Sequence, residues 1–208
     1  MTSKPPTWNE GDPLMTRIIS GLAGGRRIRT PPGNGTRPTS DRVREALFSR
    51  LEHLDVVNRS NVLDLYAGSG ALGLEAASRG AASVLLVEAS RAASAVARRN
   101  IAELGLAGIS IRAETVERAL LAGRSEGEVP FDLVLADPPY DVTEEALADV
   151  LMLLVTHGWL SDEALVVVER SARSPEPRWP EGLDRAGERR YGETKMWFAD
   201  FAGPRGVA

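Results

Sequence analysis

NVLDLYAGSGALGLE, running from Asn61 to Glu75, points to one kind of architecture. An apolar run, Val62, Leu63 and Leu65, ends in a turn of small residues and passes straight into a helix-forming segment. A parallel-sheet strand delivers a ligand loop to a helix N-terminus in this way. The turn reads Gly68, Ser69, Gly70, Ala71, Leu72, Gly73. Glycine permits positive φ and lets the main chain approach a ligand with no Cβ in the way, while unpaired N–H groups at the helix start face whatever is bound. A lone GxGxxG is a weak signal. The preceding strand, the following helix and an acid at the end of the next strand make it a nucleotide-type cofactor loop, with Ala67, Gly68 and Gly70 against the ligand.

That acid is Glu88, which closes SVLLVE 18 residues after Gly70. The separation is near the roughly 20 residues at which a carboxylate meets a ribose hydroxyl pair. Asp64, on the strand just before the turn, suits a role in holding either the loop or the polar end of the cofactor.

With 208 residues, 43% of them hydrophobic, the chain has enough apolar material for one α/β core with an appendage. There is no cysteine, which excludes disulfide frameworks, thiolate metal sites and cysteine nucleophiles, and no metal site is expected. No apolar run approaches the roughly 20 residues of a membrane span, and the opening MTSKPPTWNEGDP has no signal-type apolar segment, so a soluble, cytoplasmic protein is expected. The net charge of −4 is unevenly spread. Residues 15–50 hold eight arginines (Arg17, Arg26, Arg27, Arg29, Arg37, Arg42, Arg44, Arg50) against two acids (Asp41, Glu45). A basic module on an acidic domain is the asymmetry expected when one end meets phosphates and the other does chemistry.

In chain order, residues 1–14 are polar, rich in proline and without periodicity, and are expected to be a disordered tail. RIISGLAGGRRIRT predicts a hairpin with arginines on one face, among them Arg17, Arg26 and Arg27 as candidate contacts to nucleic-acid phosphates. The loop PPGNGTRPTS follows, carrying Arg37, and Thr39 or Ser40 caps a helix that buries Val43, Leu47, Leu51 and Leu54. Arg42 and Arg44 fall off that stripe, which would leave them free for a ligand or phosphates. Residues 15–58 thus form a basic extension and 59–208 the catalytic domain. From Asn61 onward strands and helices alternate, the pattern of a parallel sheet covered on both faces. Expected elements are a helix from Ala71 to Arg79, strand Ser83 to Val87, a helix near Ser90 to Leu104, strand Ile109 to Arg112 and strand FDLVLA. A helix from Thr143 to about His157, strand Ala164 to Glu169, and two β segments, Leu183 to Tyr191 and Lys195 to Phe201, complete the chain. Glu114 falls at the same sheet edge as the cofactor loop. It could meet an adenine amino group, and a first-turn helix acid favoured by the macrodipole explains it equally well.

The tetrad Asp137, Pro138, Pro139, Tyr140 after FDLVLA decides the chemistry. Ligands of an open parallel sheet sit at the carboxyl ends of its strands, so this tetrad and the glycine turn bound one crevice. Consecutive prolines remove two donors and leave carbonyls that only accept. Asp137 with those carbonyls is therefore an acceptor clamp for an NH₂ group, and Tyr140 offers a flat face for a base. An exocyclic amine on a nucleobase is a poor nucleophile because its lone pair is delocalised. Acceptors that localise the lone pair, aligned with a sulfonium-bound methyl, supply the catalysis without a metal. The clamp suits guanine N2 and adenine N6 alike. An NAD(P) oxidoreductase is the alternative of another class, but His53 and His157 both fall on helices, which leaves no acid/base candidate in the crevice.

RIISG, GRRI, RPTSDRVREALF, NVLDLYAGSGALGLEA and DPPY together resemble the RsmD-type methyltransferases over about residues 15–201. The resemblance implies a class I S-adenosylmethionine-dependent fold, Rossmann-like, with a seven-stranded mostly parallel sheet, helices on both faces, and a small N-terminal hairpin and helix. It implies methylation of the N2 amine of guanine 966, in standard ribosomal numbering, within 16S rRNA of an assembled or partly assembled small ribosomal subunit; a monomer is expected. By position it implies that Asp64, Gly68 and Gly70 line the cofactor, Glu88 binds its ribose, and Asp137, Pro138 and Tyr140 face the base. Arg37, Thr39 and Arg42 would close the site from the N-terminal side.

Overall fold

A computed structural model describes residues 15–31, 41–125 and 127–203. The expected tail, the loop carrying Arg37, and the caps Thr39 and Ser40 lie outside the described residues. A seven-stranded sheet is built from β3 (Asn61–Leu65), β4 (Ser83–Val87), β5 (Ile109–Arg112), β6 (Phe131–Ala136), β7 (Leu160–Ser171), β8 (Leu183–Tyr191) and β9 (Thr194–Phe201). Their order is β5-β4-β3-β6-β7-β9-β8, parallel from β5 to β7, with β9 antiparallel to both of its neighbours. This is the expected fold class, including the hairpin of β1 (Met15–Arg17) and β2 (Arg27–Arg29).

Strand periodicity places the core on both faces of the sheet. Val62, Val84, Leu86, Leu133 and Leu135 meet α1 (Asp41–His53), α2 (Ala71–Ser78) and α3 (Arg91–Leu104) through Leu47, Phe48, Leu51, Leu72, Ala76 and Ala97. The alternate residues Leu63, Leu65, Leu85, Val87 and Val134 meet α4 (Val116–Ala122) and α5 (Glu144–Thr156) on the opposite face. Ser90, Thr115 and Thr143 cap α3, α4 and α5, each side chain accepting from the backbone N–H three residues on. No helix among the described residues is long and apolar enough to cross a membrane.

Three expectations need correction. Leu54 falls beyond the last turn of α1 and is 43% exposed, so the buried stripe is Leu47, Phe48 and Leu51. Strand β7 starts at Leu160 rather than Ala164, because Ser161, Asp162 and Glu163, the last at φ 64, hide its beginning from an apolar reading. Arg44 is not free. Its guanidinium is 1% exposed, donates to the Arg17 carbonyl at 2.5 Å and to Asp41 at 3.0 Å, and lies 3.6 Å from Glu75.

Glu75 is the post to which the N-terminal extension is tied. Fully buried on α2, its carboxylate accepts from the backbone N–H groups of Ile19 and Ser20 at 2.7 and 3.0 Å and from Arg79 Nε at 2.7 Å. Arg79 reaches on to Glu45 and Glu52 of α1, both at 2.9 Å. Next to this knot the chain crosses α2 so closely that a Cβ on Gly21, at φ +81, would stand 1.9 Å from the Ser78 carbonyl oxygen. Removing one partner of a buried ion pair leaves the others desolvated and uncompensated. Glu75→Ala is therefore expected to lower the unfolding free energy by about 3–5 kcal/mol in urea titrations followed by circular dichroism. A loss of about the size of an exposed pair, under about 1 kcal/mol, would remove Glu75 from this role.

Candidate active site

After β3 the chain moves to β4 and β5 on one side, then returns to place β6 on the other, so the order reverses at β3. The crevice above that reversal is where open α/β sheets take their ligands. Leu65 pairs with Val87 on one side and with Ala136 on the other, and Asp137 N donates to the Leu65 carbonyl at 3.4 Å. The glycine turn and the Asp-Pro-Pro-Tyr turn thus leave adjoining strand tips on one rim, about 4.8 Å apart at their base.

The turn is held from below and from both sides. Asp64 is 1% exposed, and its Oδ2 accepts from the Gly73 N–H at 2.8 Å, fastening the first turn of α2 to β3. A Cβ on Gly73 would come within 2.4 Å of Leu86 and 3.0 Å of that same Asp64 oxygen, so only glycine allows the helix to sit this close. Burial pushes the Asp64 carboxyl up to about 7; the Gly73 hydrogen bond works against this and the Glu88 charge adds to it. Glu88, half-buried at the end of β4, accepts from Gly68 N at 2.8 Å and Ser90 N at 2.6 Å. Gly68 itself, at φ +56, has open space where a Cβ would stand. Ala67 N donates to the Val87 carbonyl at 3.0 Å, and Gly70 N to the Ala67 carbonyl at 2.7 Å.

On the other side of the crevice Pro138 is buried, Pro139 is exposed and Tyr140 is 71% exposed. The Val142 N–H closes the turn on the Pro139 carbonyl at 3.0 Å. Glu114, directly before the cap of α4, is paired with Arg118 at 3.4 Å. Arg42 is exposed near the start of α1. On the hairpin, the register Arg17↔Arg27 and Met15↔Arg29 puts Arg17, Arg27 and Arg29 on one face, with Thr16 and the buried Ile28 on the other. Arg17 pairs with Asp41 at 3.1 Å and Arg27 is exposed. Arg26 instead turns to α3 and donates to the carbonyls of Leu104 and Glu103, an end cap for that helix.

This arrangement has close relatives. The family described as Conserved hypothetical protein 95 matches residues 16–200. Ribosomal RNA small subunit methyltransferase D of Escherichia coli strain K12 is 40% identical over 164 residues, 79% of each chain. The chain belongs to this family. The Haemophilus influenzae protein of the same description is 35% identical over 163 residues, 76% of this chain and 80% of that one. Among solved structures, the Escherichia coli protein yhhF superposes with a TM-score of 0.79 at 34% identity, over 90% of this chain and 98% of its own. The Thermus thermophilus protein TTHA0928 superposes with a TM-score of 0.74 at 32% identity, over 88% and 98%. The RsmD-type resemblance of the sequence motifs is thereby borne out over nearly the whole chain.

Three residues of this family member escaped the sequence reading. Asn100, fully buried on α3, accepts from Arg29 N and donates to the carbonyls of Arg29 and Ser69, all at 2.9 Å, so one side chain joins the basic hairpin to the glycine turn. A polar residue at the helical repeat of Ala93, Ala97 and Leu104 was its signal. Tyr66, at φ 61 directly after β3, buries its hydroxyl without a hydrogen-bond partner, and burial pushes that hydroxyl far up. Arg170, at the end of β7, is 7% exposed at its side chain and donates from Nη2 to the Val142 carbonyl at 3.0 Å and to Glu144 at 2.5 Å. It grips the far end of the loop whose near end is Asp137.

Two outcomes follow from this geometry. Arg170→Met is expected to lower the methylation kcat about tenfold or more, in line with the cost of a misplacement near 1 Å. Calorimetry should show cofactor affinity unchanged, because the residue touches only the second loop; an equal loss of that affinity would refute the division. For Asp64 the folded pKa lies above the ordinary value of about 3.9. The folded chain therefore holds a proton that the unfolded chain releases, so this stabilisation is present below about pH 4 and fades as pH rises towards about 7. Asp64→Asn should flatten the slope of unfolding free energy across that window, by at most about 1.4 kcal/mol per pH unit. An unaltered slope would show that the carboxyl titrates normally.

Proposed function

We propose that the chain transfers a methyl group from S-adenosylmethionine to the N2 amine of a guanine in 16S rRNA, and that guanine 966 is the target. The observation that carries this reading is that the glycine turn and the Asp-Pro-Pro-Tyr turn leave the adjoining tips of β3 and β6. The relatives described as ribosomal RNA small subunit methyltransferase D support the substrate class. The residues present fit the cofactor. Glu88 spends one lone pair on each of two backbone N–H groups, which leaves acceptor capacity on both oxygens for a ribose hydroxyl pair. Gly68 leaves open space at the turn for a close-lying ligand. Ala67, Gly68 and Gly70 would flank the cofactor, Asp64 would act through the loop, and Glu114 would approach the adenine. When bound, S-adenosylmethionine supplies an electrophilic methyl on a sulfonium, so no metal is required.

The chain's own residues then act on the amine. The Asp137 carboxylate and the Pro138 carbonyl accept its two N–H bonds, localising the nitrogen lone pair, and Tyr140, already exposed on the rim, stacks on a base turned out of its helix or loop. The proton that the methylated nitrogen must shed leaves along its hydrogen bond to Asp137. Arg17, Arg27 and Arg37 would meet phosphates while Arg26 holds the hairpin to α3, and Thr39 and Arg42 would close the crevice from the N-terminal side. The enzyme works as a monomer in the cytoplasm, on an assembled or partly assembled small subunit. Incubation with labelled S-adenosylmethionine and undermodified small subunits, followed by mass spectrometric mapping, is expected to place one methyl on guanine N2. Asp137→Ala should abolish transfer while cofactor affinity stays within a few-fold. Label on another base, or a matching loss of cofactor affinity, would overturn the assignment.

A further inference from the structure

β9 runs antiparallel to β7, and Ser171 pairs with Thr194, so the turn between β8 and β9 returns to the rim that carries Asp137 and Gly68. The Ala172 N–H donates to the Glu193 carbonyl at 2.8 Å, which ties the exit of β7 to that turn. Around it stand Arg173, with its side chain 87% exposed, and the exposed Arg189 and Arg190, with Lys195 beside them. Two acids face the same group: Glu193 lies 3.6 Å from Arg173, and Glu188 lies 3.6 Å from Lys195. The cluster is net positive in a chain of net charge −4.

We infer that the β8–β9 turn, through Arg189 and Arg190, is a second RNA-contacting surface that holds the strand flanking the target nucleotide. The inference rests on the functional reading above and extends it to the flank opposite the basic hairpin. Each arginine is already ordered by one bond to backbone, Arg189 Nη1 to the Glu188 carbonyl at 2.7 Å and Arg190 Nε to the Gly192 carbonyl at 3.0 Å. A guanidinium carries five N–H donors, so the anchored side chains keep several for phosphate oxygens and lose less freedom on binding than untethered ones. Arg189 shares its sheet face with Met196, and Arg190 shares the other with Lys195, so the two project to either side of the strand tip. From β6 to β8 the order is β6-β7-β9-β8, three strand spacings, or about 14 Å. A base held at Asp137 therefore leaves its neighbours in the strand, a few nucleotides along, over this turn. The arginine pair on the basic hairpin, Arg17 and Arg27, would hold the other side.

Charged residues on an outermost strand also guard it against pairing with other chains, so the test must separate the two roles. The double variant Arg189→Ala with Arg190→Ala is compared with the parent and with Arg189→Lys plus Arg190→Lys. Binding to undermodified small subunits is measured across a salt series, together with kcat, cofactor affinity and sedimentation. The alanine pair is expected to raise KM about tenfold, with kcat and cofactor affinity unchanged. It should reduce the slope of log affinity against log salt by about 1–2, one for each phosphate no longer neutralised, and the lysine pair should restore most of that slope. An unaltered salt slope overturns the inference, and so does self-association of the alanine pair at an unaltered slope, which would assign these arginines to edge protection. Because binding is read separately from methyl transfer, a parent that binds rRNA without methylating it would overturn the functional reading and leave the surface standing.

Discussion

The backbone of Leu65 is where the parallel order of the sheet turns. It is paired to Val87 on one side and Ala136 on the other, and its carbonyl receives the Asp137 N–H. β4 and β6 both stop level with Leu65, so the loops that follow them start from one line. The glycine turn, the Glu88 carboxylate and the Asp-Pro-Pro-Tyr turn are brought together by that pairing. Large movements are not needed to assemble them, since each loop is also fixed at its far end, by Asp64 to Gly73 and by Arg170 to Val142.

Fixing loops this way uses buried charge, which is costly unless each group finds partners. Glu75 serves two arginines and two backbone N–H groups, and through them the extension of residues 15–31 rides on α2 as part of the same body. Asn100 extends the connection from the hairpin backbone to the Ser69 carbonyl inside the glycine turn. Whatever the arginine face of the hairpin contacts is thus two hydrogen bonds from the glycine turn. Arg170, Glu144 and Tyr66 each retain a buried polar atom without a hydrogen-bond partner, as Arg44 does at its Nε, and Arg170 and Glu144 grip the loop that bears Tyr140.

Much of this was legible from residue order. Period-two alternation and helical spacing located the strands and helices from β3 to β9, apart from the start of β7 and the short helix α4 between β5 and β6. The helix α4 is seven residues long, too short for periodicity to speak, and the start of β7 is polar. The glycine turn, the acid at 88 and the Asp-Pro-Pro-Tyr tetrad were visible because they are local: torsional freedom, a missing donor and a strand-end position are properties of neighbouring residues. Arg44 was misread for the complementary reason. It falls off the expected stripe of Val43, Leu47, Leu51 and Leu54, but stands three, four and seven residues before Leu47, Phe48 and Leu51 on the face that is buried, where Glu75, 31 residues away, meets it.

Residue order alone was enough to specify a parallel sheet with a glycine turn after one strand and an Asp-Pro-Pro-Tyr turn after another, because both motifs are written in contiguous residues. Which side chains hold those motifs still was settled by packing between distant segments. Glu75, Asn100 and Arg170 reach partners on other elements 26 to 71 residues away, and no spacing rule on one element reports a hydrogen bond to another. The same holds for the basic turn between β8 and β9, whose arginines look like an ordinary exposed strand until the antiparallel return of β9 sets them on the rim that carries Gly68 and Asp137.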